Sequence, residues 1–157
     1  MQLKNKKLAT YYNGGAIETL NYDYNIRGWM LGMNRSYLST DNSTKFGFEL
    51  AYDKKKSAFD NNSADTYAGN QFNGNIAGMM WRSMGDGQKR KYDFDYDAVN
   101  RLTKADFTQY NSGWNVSAGI DFSVGGSATN NNRIAYDDNG NIKEMWQKGL
   151  KIGASDW

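Results

Sequence analysis

The chain has 157 residues and a net charge of +2, with no cysteine, no histidine and no proline. These absences exclude disulfides, Cys- or His-ligated metal centres and the commonest general base, and no turn here can be built on proline. The length suits one domain over residues 1–157, and an aromatic content of 15% argues for a packed chain rather than a disordered one.

The first residues, MQLKNKKLATYYNGG, are basic but lack an apolar core, so no signal peptide is expected. No run approaches the roughly 20 apolar residues of a membrane-spanning helix. Lysine-rich runs at Lys4–Lys7, Lys54–Lys56 and Lys89–Lys91 are interrupted by acids elsewhere. They read as solvated strand ends or turns, and nucleic-acid binding is not expected.

The dominant period is two. Short strands are expected over Ala16–Tyr24 and Trp29–Met33. Phe46, Phe48, Leu50 and Tyr52 then alternate with Gly47, Glu49, Ala51 and Asp53. The polar stretch SAFDNNSADTYAGN reads as a loop, followed by strands over Ile76–Arg82, Tyr92–Asp97 and Leu102–Phe107. Val116, Ala118, Ile120, Phe122 and Val124 form a further alternating strand, GGSATNNNR a second polar loop, and Ile134–Tyr136 and Ile142–Gln147 the last strands. Strict alternation marks half-buried strands of antiparallel sheets, and no segment sustains a capped helical stripe.

Turn chemistry falls between these strands. YNIRG, FNGN, YDAVN and YDDNG supply Asn, Asp or Gly, which tolerate a left-handed backbone or cap a turn with a side-chain oxygen. Setting the turns in register on Gly28, Gly74, Asn100 and Gly140 places Tyr24, Phe72, Tyr96 and Tyr136 before them. Met30, Ile76, Leu102 and Ile142 follow. Asp97 and Asp137 directly follow their tyrosines; Asp137 is placed to accept backbone N–H groups of its turn, and Gly140 to take the positive φ of a G1 bulge, with Asn100 in that place in the earlier copy. A shorter copy runs from Tyr12 to Ile17. A single hairpin is marginal alone, so successive hairpins are expected to pair edge to edge. The fold expected is all-β: successive antiparallel hairpins in one curved, twisted sheet.

YDAVNRLTKADF and YDDNGNIKEMW resemble the tyrosine–aspartate repeats of the YD-repeat (RHS-repeat) family. YDYNIRGWMLGMN, FGFELAYD and FNGNIAGMMWRS are similar to the form found in large secreted or surface proteins of Bacteroidetes. The resemblance covers about Tyr11 to Lys148. It implies a shell-like β segment, a non-catalytic scaffold at the cell surface or outside it, and neighbouring repeats of a longer parent chain as partners. Unpaired sheet edges also imply self-association, or an edge covered by a terminal segment.

Three acids, Asp93, Asp95 and Asp97, alternate with Tyr92, Phe94 and Tyr96. Strand neighbours two apart lie about 6.5–7 Å from each other, within the range of glycosidase carboxylate pairs. Acids opposite three aromatics are expected instead to face water, or to pair with cations such as Lys89, Arg90 and Lys91, and no catalytic residue is assigned. An EF-hand loop starting at Asp137 fails, since its sixth position is Ile142 and its twelfth Lys148. No metal site or cofactor is expected. Most of these strands are too short for an outer-membrane barrel, so no membrane insertion is expected. The alternative function is a carbohydrate-binding β module. Its candidate stacking platforms are Trp29, Trp81, Trp114, Trp146 and Trp157, with glycans as ligands, although strand packing explains most of these rings.

Overall fold

The computed structural model describes residues 2–9, 14–39, 44–58, 65–115 and 120–149. Among them the chain is an antiparallel meander. Strands β1 (Asn5–Leu8), β2 (Glu18–Tyr24), β3 (Met30–Met33), β4 (Phe46–Ala51), β5 (Gly78–Ser83), β6 (Lys89–Tyr96) and β7 (Leu102–Tyr110) lie side by side in chain order. The short β8 (Trp114–Asn115) folds back on the end of β7. Strand β9 (Val124–Gly125) pairs the middle of β7 at Ala105, and β12 (Trp146–Gln147) pairs β9. Between them β10 (Ala135–Tyr136) and β11 (Ile142–Glu144) form their own two-stranded ladder. Ile134 N–H donates to the Thr103 carbonyl at 2.8 Å, which holds that hairpin against the start of β7.

The all-β, hairpin-by-hairpin expectation therefore holds, with differences in extent. Strand β1 was not anticipated, because its lysines and asparagine show no alternation; backbone pairing with β2 suffices to hold it. Strand β7 runs on to Tyr110, and Trp114–Asn115 folds back as β8. Of the strand expected over Val116–Val124, only Val124 belongs to a ladder, while Ile120–Ser123 is irregular and residues 116–119 lie outside the described part. Tyr12 and Asn13 of the short repeat copy, and Trp157, also lie outside it. The only helical pieces among the described residues are single 3-10 turns at Arg35–Leu38 and Ala128–Asn130.

Both faces of the sheet are covered, in different places. On one face Leu38, Ala51, Tyr67, Ala77 and Met80 form a buried cluster with Trp114 packed against it. The 3-10 turn and the long connection from β4 to β5 supply Leu38 and Tyr67, and a Cβ on Gly78 would run into the Tyr67 ring and the Tyr92 carbonyl. On the opposite face Tyr92 stacks on Trp81 at 5.5 Å and meets Phe107 edge-on at 5.4 Å, and Phe107 meets Phe122 edge-on at 5.4 Å. Phe107 is 1% exposed, so the segment before β9 completes this second core. Offset and edge-on ring pairs of this kind add to plain area burial.

The first core is charged at its margin. Glu49 is buried and accepts from Ser57 Oγ at 2.5 Å, Arg35 at 2.9 Å and Ala58 N–H at 3.2 Å. Asp65, 2% exposed, accepts from Lys89 Nζ at 2.5 Å and from the Trp114 indole at 3.2 Å. Lys91 is buried, bonded to the Thr66 carbonyl at 2.6 Å and paired with Asp93 at 2.8 Å. The long connection is thus tied over the sheet through paired charges, which is how buried charge is made tolerable.

Candidate functional site

The feature that recurs is a bend. After Tyr24, Tyr96 and Tyr136 the chain makes the same set of hydrogen bonds. The N–H groups of Asn25, Asp97 and Asp137 donate to the carbonyls of Trp29, Arg101 and Asn141 at 2.9–3.0 Å. The N–H groups of Gly28, Asn100 and Gly140 donate to the carbonyls of Asn25, Asp97 and Asp137 at 3.0 Å. Each Asn or Asp Oδ1 accepts two more N–H groups: Arg27 and Trp29, Val99 and Arg101, Asn139 and Asn141. This is the side-chain-capped turn for which Asp and Asn are suited. The left-handed residue is Gly28 (φ +85°), Asn100 (φ +67°) or Gly140 (φ +85°), types that carry that backbone at least cost.

The register beyond the bend is also common to all three. Tyr24 pairs with Met30, Tyr96 with Leu102 and Tyr136 with Ile142. The next pairs, Asp23 with Gly32, Asp95 with Lys104 and Ala135 with Glu144, skip Leu31, Thr103 and Lys143. Each return strand therefore carries one extra residue at the same place, a bulge that strengthens local twist.

Successive hairpins are joined through tyrosine hydroxyls. Tyr52 Oη donates to the Met30 carbonyl at 3.0 Å, Tyr96 Oη to Ile76 at 2.8 Å and Tyr136 Oη to Leu102 at 2.6 Å. Met30, Ile76 and Leu102 are the aliphatic positions that the sequence register aligned. The donors are not those it aligned throughout, because Tyr52 takes the place given to Phe72. Phe72 lies in no strand and is 69% exposed. The signal for Tyr52 was its own Tyr52-Asp53 pair with Leu50 two residues before, masked by the long connection that follows. Burial pushes the Tyr52 and Tyr96 phenols above their ordinary value, so both stay protonated donors.

The bends themselves line up. Arg27 reaches the Phe72 carbonyl at 3.4 Å, and the Asn73 and Asn75 amides donate to Asn100 Oδ1 at 2.5 and 3.1 Å. Arg101 pairs with Asp97 at 2.6 Å, reaches the Asp137 carbonyl at 3.4 Å and lies 4.5 Å over the Tyr136 ring. Residues 72–75 thus sit in the row of bends, with Gly74 left-handed at φ +102°. Asn73 makes only the first of the side-chain cap bonds there, to Asn75 N–H.

The three acids are engaged separately. Asp93 pairs with Lys91 and accepts Ala68 N–H at 2.9 Å; its side chain is only 12% exposed, so it does not face water. Asp95 pairs with Arg133, which comes from beyond β9 and not from the 89–91 run. Asp97 closes its bend. Lys89 serves Asp65, and Arg90 pairs with Asp86. The backbone bond from Arg101, with the Arg101 side chain, holds Asp97 below the ordinary carboxylate value; Asn141 does the same for Asp137.

Among the described residues no group of three or more acidic side chains is placed to hold a metal ion, and no helix is long and apolar enough to cross a membrane. Clefts open on the surface of the described residues, two of them with aromatic side chains in their lining. One, of about 540 Å³, is bordered by Lys104, Asp106, Asp121, Lys148 and the exposed Trp146. The other, of about 590 Å³, has Trp29 and Tyr52 with Arg27, Asp53 and Lys54. The Trp29 and Tyr52 rings lie 5.2 Å apart. Trp81 and Trp114 are packed as described above. No family model, curated protein or solved structure matches the chain.

Proposed function

We propose that the chain is a non-catalytic structural segment of the YD-repeat (RHS-repeat) kind, contributing to a β-shell or display surface of a secreted or cell-surface protein. The observation that carries this reading is the hydroxyl relay: Tyr52 to Met30, Tyr96 to Ile76, Tyr136 to Leu102. A contact repeated at one step per hairpin is how a quasi-one-dimensional array holds itself together. The acids that would be candidates for chemistry are instead bound into turns and ion pairs within the sheet.

The test is to lengthen the array. Inserting a second copy of residues 89–134 after Ile134 adds hairpin-to-hairpin contacts, so the unfolding midpoint rises. The same protein shows no saturable binding to a glycan panel and no hydrolysis of glycoside substrates. An unchanged or lower midpoint speaks against the array, and turnover abolished by Asp95→Asn speaks for an enzyme.

A carbohydrate-binding module is the second reading, favoured by one observation: Trp146 is 62% exposed beside the 540 Å³ cleft, whose rim carries acids and lysines. Saturable glycan binding that is lost in Trp146→Ala supports it over the scaffold.

A further inference from the structure

Four strand ends share one pattern, an apolar residue, any residue, tyrosine, then Asp or Asn: Tyr22-Asp23-Tyr24-Asn25, Leu50-Ala51-Tyr52-Asp53, Phe94-Asp95-Tyr96-Asp97 and Ile134-Ala135-Tyr136-Asp137. In two of them both ends of the contact with the preceding strand are defined by hydrogen bonds. Phe94 N–H donates to Ala77 and Tyr96 Oη to Ile76. Ile134 N–H donates to Thr103 and Tyr136 Oη to Leu102. The receptor is thus two successive carbonyls, the first taking the hydroxyl and the second the backbone N–H. Tyr22 N–H makes the backbone half of the same contact with Lys4 at 2.8 Å.

Among the described residues, strand β11 presents that receptor without a ligand. Ile142 and Lys143 hold the same places relative to their bend and bulge as Leu102 and Thr103 do. Among the described residues β11 pairs with β10 alone, and Ile142 is 56% exposed. Residues 145–157 contain no tyrosine, so they cannot supply the hydroxyl. We infer that the outer edge of β11 is a docking site for an extended strand carrying apolar-x-Tyr-Asp/Asn. Its tyrosine hydroxyl bonds the Ile142 carbonyl and the N–H two residues before it bonds the Lys143 carbonyl. A second copy of this chain is not the ligand, because the backbone N–H groups of Tyr22, Phe94 and Ile134 and the hydroxyl of Tyr52 are already engaged within their own molecule. Strand addition gives affinity through the main chain and selectivity through alternate side chains.

The inference rests on the repeat reading above. Its test is an amide-resolved NMR titration of the full chain with the synthetic peptide KRKYDFDYD, a copy of Lys89–Asp97. Shift changes are expected at Ile142, Lys143 and Glu144. Methylating the peptide nitrogen at the position of Phe94 abolishes them, and replacing the tyrosine at the position of Tyr96 by phenylalanine weakens binding about two- to tenfold. No change at β11 with millimolar peptide overturns the inference, as does binding at another edge or binding indifferent to the N-methyl group. Such a failure leaves the scaffold reading standing if lengthening the array still raises the unfolding midpoint.

Discussion

The hydroxyl of Tyr136 donates to the carbonyl of Leu102 at 2.6 Å, across 34 residues of chain. Tyr96 stands in the same relation to Ile76. The bend that follows each tyrosine supplies its own hydrogen bonds, so the tyrosine is free to fasten its hairpin to the one before.

Not every tyrosine hydroxyl is spent this way. That of Tyr67 is buried and makes no hydrogen bond among the described residues, and burial together with Glu49 and Asp93 pushes its pKa upward. Tyr67→Phe removes an unsatisfied buried group, so it is expected to be neutral or to stabilise by about 1 kcal/mol in urea unfolding. A loss of comparable size shows that the hydroxyl has a partner in solution.

Asp65 is the acceptor for both Lys89 and the Trp114 indole. Asp65→Ala leaves a half-buried ammonium without its carboxylate and is expected to cost about 3–5 kcal/mol. The paired change Asp65→Leu with Lys89→Met is expected to recover much of this, read from the same unfolding curves. If the double variant is no better than the single, the cost comes from packing rather than from the stranded charge.

Asp97 and Asp137 have folded-state pKa values below the ordinary carboxylate value, through Arg101 and Asn141 respectively. Their contribution is therefore complete above the unfolded value of about 4 and is lost as pH falls through the depressed folded values. The urea midpoint is expected to fall on acidification below that point. In Asp97→Asn with Asp137→Asn the acid slope is shallower, since Asn25 shows that an amide can close the same bend. Some slope persists, because Asp86, Asp121 and Glu144 are lowered too. An unchanged slope places the acid sensitivity outside the bends.

Gly140 has φ +85°, and a Cβ there would meet nothing closer than Arg101 at 3.9 Å. Gly140→Ala therefore tests backbone conformation alone and is expected to cost about 1–2 kcal/mol. Gly140→Asn is expected to cost less, because Asn100 holds the same position in the preceding bend. Equal costs for the two variants remove the left-handed backbone as the reason for glycine there.

Much of this was legible in the chain. Alternation over Phe46–Asp53 and Tyr92–Asp97 gives strands, and Tyr-Asp followed by Gly or Asn three residues on gives the bends. Alternation fixes parity but not which face is covered. Glu49 and Lys91 read as a wet face, and Asp93 as facing water or pairing with a nearby cation; it pairs with Lys91, and the chain between β4 and β5 brings Ser57, Asp65 and Tyr67 over this face with compensating partners. Phe72 drew the second bend because FNGN is a compact turn signal. Tyr52, at the end of its strand, is the residue whose hydroxyl reaches Met30. Strands β1 and β8 are set by neighbours rather than by pattern: β1 by pairing with β2, β8 by the Tyr110–Trp114 ring contact at 5.6 Å.

The relay is tested most directly by urea unfolding of the triple variant Tyr52→Phe, Tyr96→Phe, Tyr136→Phe beside Tyr24→Phe, whose hydroxyl has no partner among the described residues. At about 1 kcal/mol per hydrogen bond and near-additive distant sites, the triple variant should lose roughly 2–4 kcal/mol at unchanged m-value, and Tyr24→Phe almost nothing. A triple variant that unfolds at the wild-type midpoint contradicts the account.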